Sequence, residues 1–172
     1  MNLKSKIRTV LDFPQKGINF YDITTILQDA KAHSYVIDKI SSMYSPDDVD
    51  IVVGTESRGF IFGAPIAYKL RAGFVPVRKK GKLPYKTVQA SYEKEYGPDV
   101  VEIHEDAIKP NQKVLIVDDL LATGGTISAA KCLIEKLGGK IVGFVFLIEL
   151  TSLGGRKKLK GYKVDSVLKF KE

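Results

Sequence analysis

The stretch Val114-Leu-Ile-Val-Asp-Asp-Leu-Leu-Ala-Thr-Gly-Gly-Thr126 decides the fold of this chain. Its opening run, Val114 to Val117, is short, rich in β-branched residues and free of polar ones, which is typical of a strand buried on both faces of a parallel sheet. The segment from Ile127 to Leu137 then carries apolar residues at helical spacing. The sequence therefore predicts a strand, a tight glycine-rich turn and a helix, which is the repeating pattern of an α/β protein.

The turn in this unit is suited to a small anion. Its glycines let the backbone wrap closely around a ligand, and Thr123 and Thr126 add hydroxyl donors to the free amides of the helix N-terminus. The turn contains no lysine, which distinguishes it from the P-loop of nucleoside-triphosphate-binding proteins and favours a monophosphate. Asp118 and Asp119 come just before the turn, where the strand is expected to end, and adjacent carboxylates accept hydrogen bonds from a vicinal diol. Together these features predict a site for a phosphorylated sugar.

The rest of the chain repeats the alternation of strands and helices. Helices are predicted over Asp29 to Tyr44 and after Gly59 as far as Leu70, and strands are predicted at 51–53, 74–77, 113–118 and 141–150. This order predicts an open, mainly parallel sheet flanked by helices. Ligands of such sheets gather at the carboxyl ends of the strands, where three unusual loops fall, at residues 54–59, 78–86 and 118–126.

Residues 81–104 depart from this rhythm. Their apolar residues alternate with polar ones, as in a two-stranded ribbon that projects from the core: Val88, Ala90, Tyr92, Val101 and Ile103. We interpret this segment as a flexible flap. A chain of 172 residues with 44% hydrophobic content suits one well-packed domain, so a single domain over residues 1–172 is expected.

Composition limits the class of protein. No apolar run approaches the roughly 20 residues that span a bilayer, and no signal segment follows the N-terminus, so a cytoplasmic protein without membrane association is expected. Cys132 is the single cysteine, which excludes an internal disulfide. The formal charge of +7 suggests nucleic acid, but the basic clusters at 78–86 and 156–163 match no known nucleic-acid-binding module. A multiply phosphorylated substrate is favoured instead, and no nucleic-acid partner is expected.

Six further segments are similar, in order and spacing, to the adenine phosphoribosyltransferases, a family within the type I phosphoribosyltransferases. They are Asp12-Phe-Pro14 with Gly17-Ile-Asn-Phe-Tyr-Asp-Ile23, Glu56-Ser-Arg-Gly-Phe60, Val77-Arg-Lys-Lys-Gly-Lys-Leu-Pro84, Glu95-Tyr-Gly97, Asp106-Ala-Ile108 and Glu149-Leu-Thr-Ser-Leu153. The resemblance implies the type I phosphoribosyltransferase fold, with a small N-terminal base-binding hood at residues 1–28. It also implies transfer of the 5-phosphoribosyl group from 5-phosphoribosyl 1-pyrophosphate (PRPP) to N9 of adenine, which gives AMP and pyrophosphate in purine salvage.

The resemblance also implies the role of each site residue. The 5-phosphate of PRPP is expected at Ala122, Thr123, Gly124, Gly125 and Thr126, and the ribose hydroxyls at Asp118 and Asp119. The pyrophosphate group is expected at Ser57, Arg58, Arg78 and Lys82. Adenine is expected at Asn19, Phe20, Tyr21 and Leu120. It is expected to stack between the Phe20 ring and the Leu120 side chain. The family commonly has a non-proline cis peptide at the position of Glu56–Ser57.

Glu95 matches the family's general base, which removes a proton from purine N7 as N9 attacks. Glu93 would lie on the same face of an extended segment, so spacing alone does not separate the two carboxylates, whereas the Glu95-Tyr-Gly97 match favours Glu95. Mg²⁺ is implied by the pyrophosphate group, and no dedicated metal cage is visible in the sequence. The resemblance further implies a homodimer, with residues 78–84 at the interface.

Two alternatives to adenine transfer stay open. Asn19 and Tyr21 replace an aliphatic and a basic residue that are common in the family, and Asn19 offers a hydrogen bond to a 6-oxo group. A phosphoribosyltransferase for another purine is therefore the first alternative. A regulatory protein that senses PRPP is the second, although such proteins carry an added nucleic-acid-binding module or have lost flap residues, and neither feature is seen here.

Overall fold

The computed structural model describes residues 1–94 and 97–171. Within these residues the strands are β1 (Arg8–Val10), β2 (Phe20–Asp22), β3 (Ile51–Thr55), β4 (Gly73–Lys79), β5 (Thr87–Lys94), β6 (Gly97–His104), β7 (Lys113–Leu121), β8 (Lys140–Leu150) and β9 (Val164–Phe170). The α-helices are α1 (Thr24–Leu27), α2 (Ala30–Ser41), α3 (Arg58–Leu70) and α4 (Gly125–Lys136). Short 3₁₀ turns lie at Lys4–Lys6, Pro46–Asp48, Thr151–Leu153 and Gly155–Leu159.

The main sheet has seven strands in the described part of the chain, in the order β5-β6-β4-β3-β7-β8-β9. Pairing is parallel from β4 across to β9 and antiparallel where β6 meets β4 and β5. The open, mainly parallel sheet that the sequence predicts is therefore confirmed. Strands β1 and β2 form a separate antiparallel pair within the hood.

The sheet is buried on both faces. Val114 and Ile116 of β7 pack in an apolar cluster with α4, while Leu115 and Val117 pack in a second cluster with α2 and α3. All four side chains are fully buried. This two-sided burial explains why the run from Val114 to Val117 has no polar alternation.

Strand β7 continues beyond its predicted end. Leu120 and Leu121 pair with Ile148 and Glu149 of β8, so the acidic pair, Asp118 and Asp119, lies inside the last part of the strand rather than after it. The long partner strand β8 supplies the extra hydrogen-bonding positions that extend β7. The acidic pair is consequently held by the rigid sheet.

The flap contains the predicted antiparallel ribbon of β5 and β6, but its base is part of the core. Arg78 and Lys79 of β4 pair with Glu102 and Val101 of β6, which joins the ribbon to the main sheet. Ala90, Val101 and Ile103 are buried in the cluster with α4. The base therefore does not project from the core, because its apolar side packs against a helix.

No helix among the described residues is long and apolar enough to cross a membrane.

Candidate active site

A cleft of about 500 Å³ lies at the carboxyl ends of β3, β4 and β7. The three loops singled out in the sequence converge there, as expected for an open parallel sheet. The lining residues are Glu56, Ser57, Arg58, Lys79, Lys82, Asp118, Asp119, Leu120, Leu121, Ala122, Thr123, Gly124, Gly125, Thr126 and Ile127.

Residues 122–126, which we call the phosphate loop, form one end of the cleft. Gly124 adopts a left-handed backbone conformation with φ of 76°, and α4 begins at Gly125 with no side-chain cap hydrogen bond. This conformation suits glycine and exposes the first amides of the helix to the cleft. All five predicted phosphate-binding residues line the cleft. Backbone donors and the positive end of the α4 dipole therefore converge on this end.

The acidic pair lies beside the phosphate loop. The amide of Asp119 donates to Oδ1 of Asp118 at 2.9 Å, and Oδ2 of Asp119 lies 2.8 Å from Nε of Arg58. Burial, together with the negative charge of Asp119, raises the pKa of Asp118. Burial also raises the pKa of Asp119, although the Arg58 guanidinium opposes the rise. These carboxylates have lost much of their hydration, so hydroxyl donors of a ligand would stabilise their charged form.

Glu56 is a site residue that the sequence analysis did not assign. Its Oε1 lies 2.6 Å from Nζ of Lys82, and its Oε2 lies 3.3 Å from Nε of Arg78 and accepts the Lys79 amide at 3.0 Å. Burial acts to raise the pKa of Glu56, but the hydrogen bonds from Lys82, the Lys79 amide and Arg78 outweigh it and lower the pKa to about 2. Glu56 therefore gathers Arg78 and Lys82, two of the three cations expected to bind pyrophosphate. Its signal in the sequence was its position directly before Ser57 and Arg58.

The basic side chains differ in whether they line the cleft. Arg58, Lys79 and Lys82 line the cleft, whereas Arg78 does not line it and donates to the carbonyl of Lys82 at 3.1 Å. Ser57 also lines the cleft, and the Glu56–Ser57 peptide is cis, as the resemblance implies. Lys79 was not predicted as a site residue.

The loop at residues 78–86, which we call the basic loop, is shaped by a buried carboxylate. Glu102 of β6 is only 2% exposed, and its Oε1 accepts the amides of Gly81, Lys82 and Leu83 at 2.9, 3.1 and 3.2 Å. Charge-assisted bonds to several backbone amides fix the course of a loop. Glu102 thereby sets the position from which Lys82 reaches Glu56.

The four residues expected to bind adenine come from two segments of the chain, residues 19–21 and strand β7. Leu120 lines the cleft, and Phe20 lies near it, with its ring centre 5.6 Å from the Arg58 guanidinium carbon. Asn19 is exposed, and Tyr21 stacks on Phe170 at 4.2 Å between ring centres. Of these four residues Leu120 alone lines the cleft, and Phe20 lies next to Arg58, which also lines it.

The proposed general base, Glu95, lies outside the described residues. Glu93 is exposed and pairs with Pro98 in the ribbon.

In the described part of the chain no group of three or more histidine, cysteine, aspartate or glutamate side chains is arranged to hold a metal ion.

The chain is similar to known proteins along almost its whole length. A phosphoribosyl transferase domain profile matches residues 22–171. The adenine phosphoribosyltransferase of Caldicellulosiruptor bescii is 62% identical over 170 residues, covering 99% of this chain and 97% of that protein. The enzyme of the same name from Ruminiclostridium cellulolyticum is 61% identical over 171 residues, covering 99% of this chain and 100% of the relative.

Solved structures agree with these matches. The adenine phosphoribosyltransferase of Thermoanaerobacter pseudethanolicus superposes with a TM-score of 0.94 at 54% identity and covers 97% of both chains. The Saccharomyces cerevisiae protein of that name, in complex with adenine and an imino-altritol bisphosphate, superposes with a TM-score of 0.90 at 42% identity over 94% of both chains. The phosphate loop, the acidic pair, Arg58 and the basic loop all lie within the matched length. The chain belongs to the adenine phosphoribosyltransferase family.

Proposed function

We propose that the protein transfers the 5-phosphoribosyl group of PRPP to N9 of adenine and releases pyrophosphate. One observation carries the proposal: a single cleft joins a helix N-terminal anion site, a pair of poorly hydrated carboxylates and a set of cations. PRPP carries a phosphate, a vicinal diol and a pyrophosphate in that order. Each part of the cleft suits the corresponding part of PRPP.

The phosphate loop is assigned the 5-phosphate of PRPP. Its amides, the Thr123 and Thr126 hydroxyls and the dipole of α4 supply donors to the phosphate oxygens. The ribose 2- and 3-hydroxyls are assigned to Asp118 and Asp119, whose buried carboxylates gain from each donated hydrogen bond.

The pyrophosphate is assigned to Ser57, Arg58 and Lys82. Arg78 is assigned to the same group, although it lies outside the cleft and donates to Glu56 and to the carbonyl of Lys82. In the reaction a bond forms between N9 of adenine and C1 of ribose, while the bond from C1 to the pyrophosphate oxygen breaks and its electron pair leaves with pyrophosphate. The transition state has oxocarbenium character, as at other glycosidic centres. Cations at the pyrophosphate stabilise the charge that develops as this bond breaks.

Adenine is assigned to the space between Phe20 and Leu120, where an aromatic ring and an aliphatic side chain cover the two faces of the base. The proton on N7 passes to Glu95 as N9 attacks. This assignment rests on the Glu95-Tyr-Gly97 match to the family, because Glu95 is not among the described residues.

A magnesium ion is proposed to enter with PRPP. It would be held by the phosphate oxygens of that ligand and would keep bound water, since Asp118 and Asp119 are assigned to the ribose hydroxyls. When bound, the ion neutralises part of the pyrophosphate charge. Because PRPP and AMP are highly charged metabolites of the cell interior, a cytoplasmic location accompanies the proposed reaction.

We also propose a homodimer. Ile61 and Tyr68 lie seven residues apart on one face of α3, and their exposed fractions are 39% and 84%. Apolar side chains at this spacing form a stripe that a second subunit would cover. The stripe and residues 78–84 of the basic loop are the assigned interface.

The proposal is tested by pyrophosphate release with PRPP and Mg²⁺ in the presence of adenine, hypoxanthine, guanine, xanthine or orotate. We expect turnover with adenine. A comparable kcat/KM with hypoxanthine or guanine would contradict adenine specificity, and an absence of pyrophosphate release with every base would contradict transferase activity.

A further inference from the structure

The phosphate loop is backed by a second segment of backbone. Gly155 begins the 3₁₀ turn Gly155–Leu159, which we call the backing turn, and it is buried against the phosphate loop. A Cβ atom placed on Gly155 would overlap the carbonyl oxygen of Ala122 and would lie 3.0 Å from the amide nitrogen of Gly124. A Cβ atom placed on Gly124 would come within 2.9 Å of the Gly155 carbonyl oxygen. The two backbones are therefore in direct contact, and the contact leaves no space for a side chain on either glycine.

The next residue anchors the backing turn to the sheet. The Arg156 guanidinium donates to both oxygens of Glu149, with Nε–Oε1 at 2.7 Å and Nη2–Oε2 at 2.6 Å. It also donates to the carbonyl of Val164 at 2.8 Å, and the Ser166 hydroxyl donates to Glu149 at 2.6 Å. A two-pronged arginine–carboxylate pair fixes both distance and orientation.

The anchor point lies on the strand pair that leads into the phosphate loop. Glu149 of β8 is 4% exposed and pairs in register with Leu121, the residue directly before Ala122. The Arg156–Glu149 pair lowers the pKa of Glu149, and the Ser166 hydroxyl adds to this effect, so this carboxylate stays charged. Both the loop and the turn that supports it are thus fixed to the same point of the sheet.

We propose that Gly155 and the Arg156–Glu149 pair position the phosphate loop for the 5-phosphate of the substrate, although Arg156 does not line the cleft. The inference rests on the proposed function, which assigns the 5-phosphate to this loop. Arg156 is a positioning residue. Its loss lets the backing turn move and displaces the amides at Ala122 and Gly124.

Such a displacement acts on one half of the substrate site. A misplacement of about 1 Å in a positioning group can lower the reaction rate by about 100-fold. We expect Arg156→Met and Gly155→Ala to weaken binding of ribose 5-phosphate by roughly 10- to 100-fold and to raise the KM for PRPP correspondingly. The KM for adenine should change by less than about twofold, because the backing turn contacts the phosphate loop, whereas adenine is assigned to the space between Phe20 and Leu120.

The experiment measures ribose 5-phosphate binding by calorimetry, KM values for both substrates and thermal melts. Lys157→Met is the matched control, because Lys157 is the exposed neighbour of Arg156 and also loses one positive charge. It should bind ribose 5-phosphate as the unsubstituted protein does. Arg156→Lys, which keeps the charge but loses the two-pronged geometry, should restore only part of the affinity.

The possible results separate the two proposals. Unchanged ribose 5-phosphate affinity in folded Arg156→Met and Gly155→Ala, or an equal loss for both substrates, would overturn the positioning role. If Arg156→Met does not fold, the double variant Glu149→Gln/Arg156→Met removes the unpaired buried charge, and Gly155→Ala keeps the ion pair and tests the same contact. A failure of the unsubstituted protein to bind ribose 5-phosphate would instead overturn the assignment of the phosphate loop.

Discussion

Two carboxylates pair with cations in and beside the cleft. Asp119 binds Arg58, and Glu56 binds Lys82 and Arg78. The pairs keep the cationic side chains close to the positions assigned to pyrophosphate, and they keep buried carboxylates from being left without a partner. The side chains assigned to pyrophosphate are therefore held in place by these carboxylates.

Glu56 makes the stability of the fold sensitive to acid. Its ordinary pKa of 4.5 falls to about 2 in the folded protein, so its stabilising contribution is fully present above about pH 4.5 and is lost as the pH falls towards 2. Thermal melts between pH 2 and 6 should show a shallower loss of stability for Glu56→Gln than for the unsubstituted protein. Glu105→Gln, at an exposed position, is the control and should keep the original slope. Equal slopes for all three proteins would contradict the predicted role.

Turnover should distinguish the proposed general base, Glu95, from its neighbour Glu93. General-base assistance typically contributes about 10²- to 10⁴-fold, so Glu95→Gln should lose turnover on that order while adenine still binds. Glu93→Gln should change little, because Glu93 is an exposed ribbon residue. Single-turnover rates for the two variants, with folding checked by thermal melts, make the comparison. A larger loss for Glu93→Gln would assign the base to that residue instead.

At the scale of elements, close helix packing links α3 to the acidic pair. A Cβ atom on Gly59 would lie 2.9 Å from Oδ1 of Asp118 and 3.0 Å from the carbonyl oxygen of Val117. A Cβ atom on Gly63, one turn later in α3, would lie 2.7 Å from the ring of Phe74, which does not line the cleft. The first turn of α3 is thus placed by contact with the acidic pair.

We expect Gly59→Ala and Gly63→Ala each to destabilise the fold by about 1 to 3 kcal/mol, because both add a methyl group to a filled contact. Only Gly59→Ala should lower kcat/KM for PRPP, since it displaces Asp118. Denaturant unfolding and steady-state kinetics on the two variants test this difference. An equal kinetic loss in both would show that helix packing in general, rather than the contact with Asp118, sets the activity.

The elements that the sequence predicted are those with local signals. The apolar run of β7, the helical stripes and the glycine-rich turn each depend on neighbouring residues, and all were found. Strands β1, β2 and β9 were not predicted, because the first two have three residues each and β9 mixes Asp165, Ser166 and Lys169 with its apolar residues. Their pairing partners, rather than their own patterns, make them strands.

The same distinction applies to the site. The phosphate loop and the acidic pair are contiguous, so the sequence alone predicts that they share one site, and both line the cleft. The contacts of Glu56 with Arg78 and Lys82 span 22 and 26 residues, and the three amides bound by Glu102 lie 19 to 21 residues away. Residue spacing carries no information about such contacts, because they depend on the order of strands in the sheet.

At the scale of the whole molecule, the exposed stripe on α3 predicts a dimer. Light scattering should give twice the chain mass, and Tyr68→Glu should shift the protein towards monomer because it places a charge in an apolar interface. Leu11→Glu, which changes another exposed apolar residue outside α3, is the control and should leave the mass unchanged. A fully active monomer of the unsubstituted protein at working concentration would count against the dimer.

The Arg58–Asp119 pair has a consequence for how the two halves of PRPP bind. If pyrophosphate alone draws Arg58 away from Asp119, it leaves a buried carboxylate without its cation, whereas ribose hydroxyls give that carboxylate new donors. Each half of the ligand should therefore strengthen the other. In calorimetry, pyrophosphate should bind more tightly after ribose 5-phosphate has been added, and Asp119→Asn should abolish this mutual gain. The reaction products would then separate more easily than the intact substrate dissociates, since breaking C1 from pyrophosphate divides one cooperative ligand into two weaker ones.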